Sequence, residues 1–204
     1  VYVAREHFDE FVALSVKMAE SLPINYPDID EGVIGPFIFG EQANKVQQQI
    51  DDARSKGATI HCGGEIVDNG GLWMRPTVLT GVTPDMLIMQ EETFGPLMPI
   101  IPFDSEEEAV QLANDSDYGL AAAVFSATTE EGRAFARRIR AGAVSVNDAA
   151  LTAVIHEFEH NSFGYSGLGE SRAGASAYTR FTREQSVMAN IAGQPIMLSQ
   201  FGPK

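Results

Sequence analysis

The chain has 204 residues, 44% of them hydrophobic and 21% charged, which is the balance of an ordinary globular fold with one sizeable core. With 14 Lys and Arg against 28 Asp and Glu, its formal net charge is −14, and no basic stripe offsets it. Such a surface repels phosphate backbones, so no nucleic acid is expected as a partner.

The chain opens on Val1 inside an apolar alternation, as a segment of a longer protein would. Val1–Val3 reads as a strand. Phe8, Phe11, Val12, Val16 and Ala19 then recur at three- and four-residue spacing, which predicts an amphipathic helix ending before Pro23. Residues 21–40 are loop-like, with prolines at 23, 27 and 36. A second helix carries Val46, Ile50 and Ala53 on one face and stops at Gly57, placed as a C′ residue. Residues 58–62 read as a strand, and Asp68-Asn69-Gly70-Gly71 is the strongest turn signal in the chain. Leu72–Val82 is extended, with Pro76 arguing against a central antiparallel position.

Leu97–Phe103 is the next buried strand. Ser105 with Glu108, and Thr128 with Glu131, have capping-box spacing and start helices. The first runs to about Asn114, and the second takes its period from Phe135, Arg138 and Ile139. Tyr118–Phe125 and Ala143–Asn147 are strands. Strands alternating with helices predict an α/β fold: an open, mostly parallel sheet with helices on both faces, in one compact domain. Residues 1–180 form its body. Residues 181–191 read as an edge strand or arm, and 192–204, with prolines at 195 and 203, as a C-terminal tail.

Cys62 is the only cysteine, so neither a disulfide framework nor a cysteine-rich zinc module is available, and its setting suits a buried structural thiol. No apolar run approaches transmembrane length, so no membrane partner is expected and a cytoplasmic location is.

Three stretches could carry chemistry. Glu91-Glu92-Thr93-Phe94-Gly95-Pro96 puts two acids, an aromatic ring and a Gly-Pro stop directly before a buried strand. Packing needs none of these, whereas a loop that grips a polar ligand with a flat ring does. The alternative is an acidic turn closing a strand end. His156-Glu157-Phe158-Glu159-His160 matches H-E-x-x-H, which on a helix lets two imidazoles share a zinc while the glutamate activates water. The extended metzincin pattern fails after His160, and glycines at 164, 167 and 169 break any continuing helix toward Glu170. Gly164-Tyr165-Ser166-Gly167-Leu168-Gly169 is not a nucleophile elbow, because Leu168 stands where the elbow needs glycine, nor is it a dinucleotide fingerprint.

Together these stretches resemble the C-terminal part of the aldehyde dehydrogenase superfamily from Val1 to about Val187. The likeness rests on Gly63-Gly64, Arg75-Pro76-Thr77-Val78, Glu91–Pro96, Asp117–Ala121, Gly142–Asn147 and Ser162–Gly169, in the family's order and near its spacings. It implies NAD or NADP as cofactor and a small-molecule aldehyde as substrate, oxidised to the acid through a cysteine thiohemiacetal and thioester. It also implies that Glu92 accepts from the nicotinamide-ribose hydroxyls, that Phe94 packs near the nicotinamide ring, and that Leu151, Phe158 and Phe163 line the substrate tunnel.

The nucleophilic cysteine, the general-base glutamate and the Rossmann-type half would lie upstream of Val1, and Cys62 matches a non-catalytic position. The chain would then hold no catalytic residue and be inactive alone. A late strand at 181–191 would pair copies into a homodimer or homotetramer. Two departures stand out: Ser162-Phe163-Gly164-Tyr165 replaces the family's Pro-Phe-Gly-Gly, and Glu170 replaces its arginine. The competing readings are a zinc hydrolase using His156, Glu157 and His160, and a non-enzymatic α/β interaction module.

Overall fold

The structure is a computed structural model that describes residues 1–169, 171 and 173–189. The expected tail at 192–204, the last residues of the expected strand at 181–191, and Glu170 lie outside the described residues. Where one compact domain was expected, the chain divides into two compact units. The first comprises Val1–Ser116 with Arg138–Arg140, and the second Asp117–Arg137 with Ala141 onward.

The first unit is built on β1 (Tyr2–Ala4), β2 (Thr59–Cys62), β5 (Thr77–Thr80), β6 (Leu97–Pro99) and β7 (Ile101–Phe103). Strand β5 lies centrally, antiparallel to β2 and parallel to β6, while β1 pairs in parallel with β7. Pro76 therefore did not exclude a central position. It falls just outside the ladder, where the expected extended stretch breaks into β4 (Leu72–Met74) and β5 with different partners. Strand β4 pairs instead with β3 (Ile66–Asp68) across the Asp68–Gly71 turn.

Successive residues of a strand face opposite sides, and β5 buries both. Val78 joins Val3, Val12, Ala19 and Ile100 in one apolar cluster. Leu79 joins Ala53, Val82, Met86 and Ile88 in another. The first is closed by α1 (Phe8–Ser21) and the second by α2 (Gly40–Ser55), so helices cover both faces, as the α/β reading anticipates.

Helix α1 stops with Leu22 in extended geometry, the conformation a following proline favours. Helix α2 ends in a Schellman motif: Gly57 N–H donates to the Arg54 carbonyl and Ala58 N–H to that of Ala53, with Gly57 at φ 96°. Short helix α3 (Leu87–Gln90) follows β5, and α4 (Glu106–Asn114) follows β7. The Ser105 hydroxyl accepts from Glu108 N–H at 3.2 Å, the cap its spacing predicts. The Asn114 side chain then donates to the Arg138 carbonyl and accepts from Arg140 N–H, which ties 138–140 to this unit.

The second unit contains β8 (Tyr118–Gly119), β9 (Ala121–Val124), α5 (Thr129–Ala136), β10 (Ala143–Val146), α6 (Leu151–Val154) and β11 (Phe163–Gly164). Strands β9 and β10 are parallel, and β8 and β11 antiparallel. Thr128 and Glu131 form a complete capping box. The helix they start ends two residues short of Arg138, because 138–140 bonds to α4 instead. Residues 175–181 form a 3-10 helix. Residues 182–189 belong to no strand, and Phe181, Val187 and Met188 are exposed.

Candidate functional site

Glu91–Pro96 leaves α3 and enters β6 as a turn held from beneath by α2. Lys45 pairs with Glu91 at 3.3 Å. The Gln42 amide donates to the Thr93 carbonyl. Gly95 lies so close that a Cβ there would meet Val46 Cγ2 at 2.7 Å. On the far side, Thr77 N–H donates to the Pro96 carbonyl at 2.7 Å, which fixes the turn to β5.

With the turn anchored this way, its two remaining side chains face out. Glu92 is exposed and makes no hydrogen bond or ion pair among the described residues. Phe94 is 76% exposed, yet its backbone sits at φ 44°. A bulky non-glycine residue in the left-handed region costs on the order of 1–3 kcal/mol, and such strain persists where the surroundings impose it. Burial cannot be the reason here. The turn presents a free carboxylate and an aromatic face to the outside, two residues apart.

The sequence singles out Glu92 and Phe94 but not the residues beneath them. Gln42, Lys45, Gln49, Asp52 and Lys56 follow one another at three- and four-residue intervals, so they form one stripe along α2. Polar residues at that period read as a solvated face, and only the tertiary contact reveals otherwise. Gln49 is fully buried with neither amide atom hydrogen-bonded among the described residues. Asp52 accepts from Leu87 N–H at 2.8 Å and pairs with Lys56 at 3.0 Å. The Leu87 N–H, and secondarily Lys56, hold the Asp52 carboxyl below its usual range. Asp52 is therefore ionised at neutral pH, and the clip it makes weakens only as pH falls through that lowered value.

The other candidates lie in the second unit. Leu151 is half-buried at the start of α6, Phe163 is 45% exposed in β11, and Phe158 is 69% exposed in the irregular stretch after α6. Ser166 and Asp117 steady the glycine loop: the Ser166 hydroxyl accepts from Gly119 N–H at 3.0 Å, and Tyr165 N–H donates to the Asp117 carbonyl.

The H-E-x-x-H residues lie beyond the last turn of α6, in irregular backbone. The imidazoles of His156 and His160 have centroids 6.5 Å apart and are tilted, not aligned on a helical face. Glu157 accepts from the backbone N–H of His156, and Glu159 is taken up by Ser176. Among the described residues no three His, Cys, Asp or Glu side chains are placed to hold a metal.

Cys62 lies partly buried at the end of β2 against the α1 cluster, its Sγ 3.7 Å from the Pro76 carbonyl. That is the setting of a packing thiol. No described helix is long and apolar enough to cross a membrane.

Known proteins share the sequence pattern and the fold of this chain. The model of the aldehyde dehydrogenase family matches residues 1–187. Human retinaldehyde dehydrogenase 3 is 34% identical over 191 residues, which cover 94% of this chain and 37% of that protein. Among solved structures, PutA of Anabaena variabilis, named as an aldehyde dehydrogenase, is 48% identical with a TM-score of 0.89, over 97% of this chain and 43% of the other. The NAD+ complex of an aldehyde dehydrogenase from Bacillus cereus is 36% identical with a TM-score of 0.85, over 94% and 38%. The chain thus spans about two fifths of the length of these relatives.

Proposed function

Because the chain belongs to the aldehyde dehydrogenase family, we propose that it is part of an enzyme that oxidises an aldehyde to a carboxylic acid, with its Glu91–Pro96 turn holding the nicotinamide end of NAD or NADP. The observation that carries this reading is the turn itself: a free Glu92 carboxylate beside a strained, exposed Phe94. An ionised carboxylate only accepts hydrogen bonds and has lone pairs for two hydroxyls, which suits a ribose diol. An exposed aromatic face suits a flat heterocycle. The residues present therefore fit the group.

When bound, the cofactor supplies the acceptor for the hydride that leaves the substrate. This chain's residues bind and orient. Glu92 fixes the ribose, Phe94 flanks the ring, and Lys45, Gln42 and Val46 keep the turn where both act. Holding a reacting ring within a fraction of an ångström is itself a large contribution to rate. Leu151, Phe158 and Phe163 are proposed to line the aldehyde's approach, and their apolar character favours an uncharged substrate body. The zinc alternative gains no support, since its helix is not formed.

Nucleophilic attack needs a thiol that can reach the substrate, and Cys62, the only cysteine, is committed to packing. The isolated 204-residue chain is accordingly expected to show no aldehyde-dependent reduction of NAD or NADP at 340 nm, while the full-length enzyme does. Steady turnover by the isolated chain would overturn that division of labour, and a full-length protein inert toward every aldehyde tried would overturn the activity.

Phe181, Val187 and Met188 are exposed, and residues 182–189 pair with no strand among the described residues. We propose that this arm pairs with a second copy, since backbone outside any sheet ladder is a template for strand addition. Sedimentation is expected to show a dimer or tetramer. A monomer at the highest attainable concentration would contradict it.

A further inference from the structure

The cofactor-binding turn is the exit of a longer segment, Thr83–Pro96, and α2 grips that segment at both ends. At the exit, Gln42, Lys45 and Val46 hold Thr93, Glu91 and Gly95. At the entry, two turns further along the same stripe, Asp52 and Lys56 hold Leu87 and Asp85. Lys56 Nζ donates to the Asp85 carbonyl at 2.6 Å and lies 3.4 Å from its carboxylate, while the Thr83 hydroxyl donates to that carboxylate.

The contact of Asp52 with Leu87 differs in kind from the others. Leu87 opens α3, and its N–H is one of the four a helix start leaves without an internal partner. Met86, the residue at the cap position, has no side-chain cap. Asp52 supplies the missing acceptor from a neighbouring helix, and its side chain is only 19% exposed, the most covered member of the ion cluster. On its other side the Leu87 carbonyl accepts from Glu91 N–H at 3.0 Å. The peptide groups on either side of Leu87 thus link Asp52 to the backbone of Glu91, the residue before Glu92.

We propose that Asp52 is a positioning residue for the nicotinamide cofactor, acting through α3 to set where Glu92 and Phe94 stand. This rests on the assignment of the turn as the cofactor clamp. Asp52 does not touch the cofactor. It fixes the start of a four-residue helix too short to hold its own place, since nearly every backbone donor in a single turn is unsatisfied internally. Without the carboxylate, Leu87 N–H loses its acceptor, α3 is free to unwind, and Glu91 N–H loses the carbonyl that orients it. Lys56 still holds Asp85 and the exit contacts still hold the turn, but the α3 backbone that joins them is no longer fixed.

The test is made in the full-length enzyme with Asp52→Ala, Asp52→Asn, Lys56→Gln and Glu92→Gln, measuring the cofactor Kd by fluorescence titration alongside KM, kcat and the unfolding midpoint. Loss of one charge-assisted hydrogen bond predicts a cofactor Kd and KM raised about five- to tenfold in Asp52→Ala, with kcat at saturating cofactor within about twofold of the parent and the aldehyde KM unmoved.

Asparagine keeps an acceptor for Leu87 N–H, so Asp52→Asn is expected to restore most of the affinity. Lys56→Gln, which spares the Leu87 contact, is expected to lower the unfolding midpoint with little change in cofactor Kd. If Asp52→Ala cannot be purified folded, the Asp52→Asn and Lys56→Gln pair decides. Asparagine must then stay closer to the parent in cofactor Kd than Glu92→Gln does, and equal loss in both Asp52→Asn and Lys56→Gln sinks the proposal. An unchanged Kd in Asp52→Ala while Glu92→Gln weakens binding refutes the role of Asp52 and leaves the clamp standing. An unchanged Kd in Glu92→Gln refutes the clamp itself.

Discussion

Glu92→Gln in the full-length enzyme is expected to raise the KM for NAD or NADP by about tenfold to a hundredfold, with the unfolding midpoint left within a degree or two. The magnitude is that of one charge-assisted hydrogen bond to a ribose hydroxyl, about 1.5–3 kcal/mol. The near-neutral effect on folding follows from the structure: Glu92 is exposed and bonded to nothing among the described residues, so the fold loses no contact. Gln is close in size and still accepts at one oxygen, so it tests the charge and the second acceptor rather than the shape. Steady-state kinetics at varied cofactor, paired with thermal unfolding, separates the outcomes. Unchanged cofactor kinetics with a lowered midpoint would mean that the turn merely closes a strand end.

A second large effect is expected from Gly142→Ala, this time on stability. A Cβ at position 142 would fall 1.8 Å from the Asn161 carbonyl oxygen and 2.3 Å from its carbon. Backbone atoms cannot swing aside as a side-chain tip can, so one chain segment must move. Gly142 N–H also donates to the Gly119 carbonyl, so its own segment is fastened and the one around Asn161 must give. A loss of about 3 kcal/mol or more is expected, equivalent to a fall of roughly 6–12 °C in the unfolding midpoint of a domain of about 150–250 residues by calorimetry. The segment that would be pushed, residues 161–163, carries Phe163. The aldehyde KM of the full-length variant should therefore move before the cofactor KM does. A midpoint unchanged within about two degrees would show that the close approach is relieved at little cost.

Much of this was legible from residue types. Pro23 ended α1, Gly57 ended α2 in the predicted left-handed cap, and Ser105 and Thr128 capped their helices, because each acts on backbone within a turn of itself. Glu92 and Phe94 were visible for a similar reason: the six-residue element holding them is local and chemically odd.

What the chain did not show in advance depends on partners distant in sequence. Pro76 looked incompatible with a central strand, but the ladder begins one residue later. Arg138 and Ile139 kept the helical period, yet the Asn114 side chain supplies hydrogen bonds that end α5 earlier. The polar stripe of α2 has the spacing of a wet face and turns out to be a grip. Phe94 gave no hint of its positive φ, since no residue type demands that conformation of phenylalanine. The H-E-x-x-H spacing assumed a helix that Ile155 leaves by turning extended.

The two-ended grip of α2 on Thr83–Pro96 fixes the length of chain between the clips. Lys45 and Lys56 are eleven residues apart, and at the helical rise this is about 16 Å. Their partners Glu91 and Asp85 are only six residues apart, and four residues of that interval are coiled into α3. At about 1.5 Å per helical step and about 3.4 Å per extended one, the interval covers roughly 13 Å, and the lysine side chains make up the rest. A single residue gained or lost between Asp85 and Glu91 would shift the register of the α3 turn that joins the two clips, whereas the exposed Asp68–Gly71 turn can change length freely. Relatives compared over these two stretches should vary in length at the second and keep the first constant.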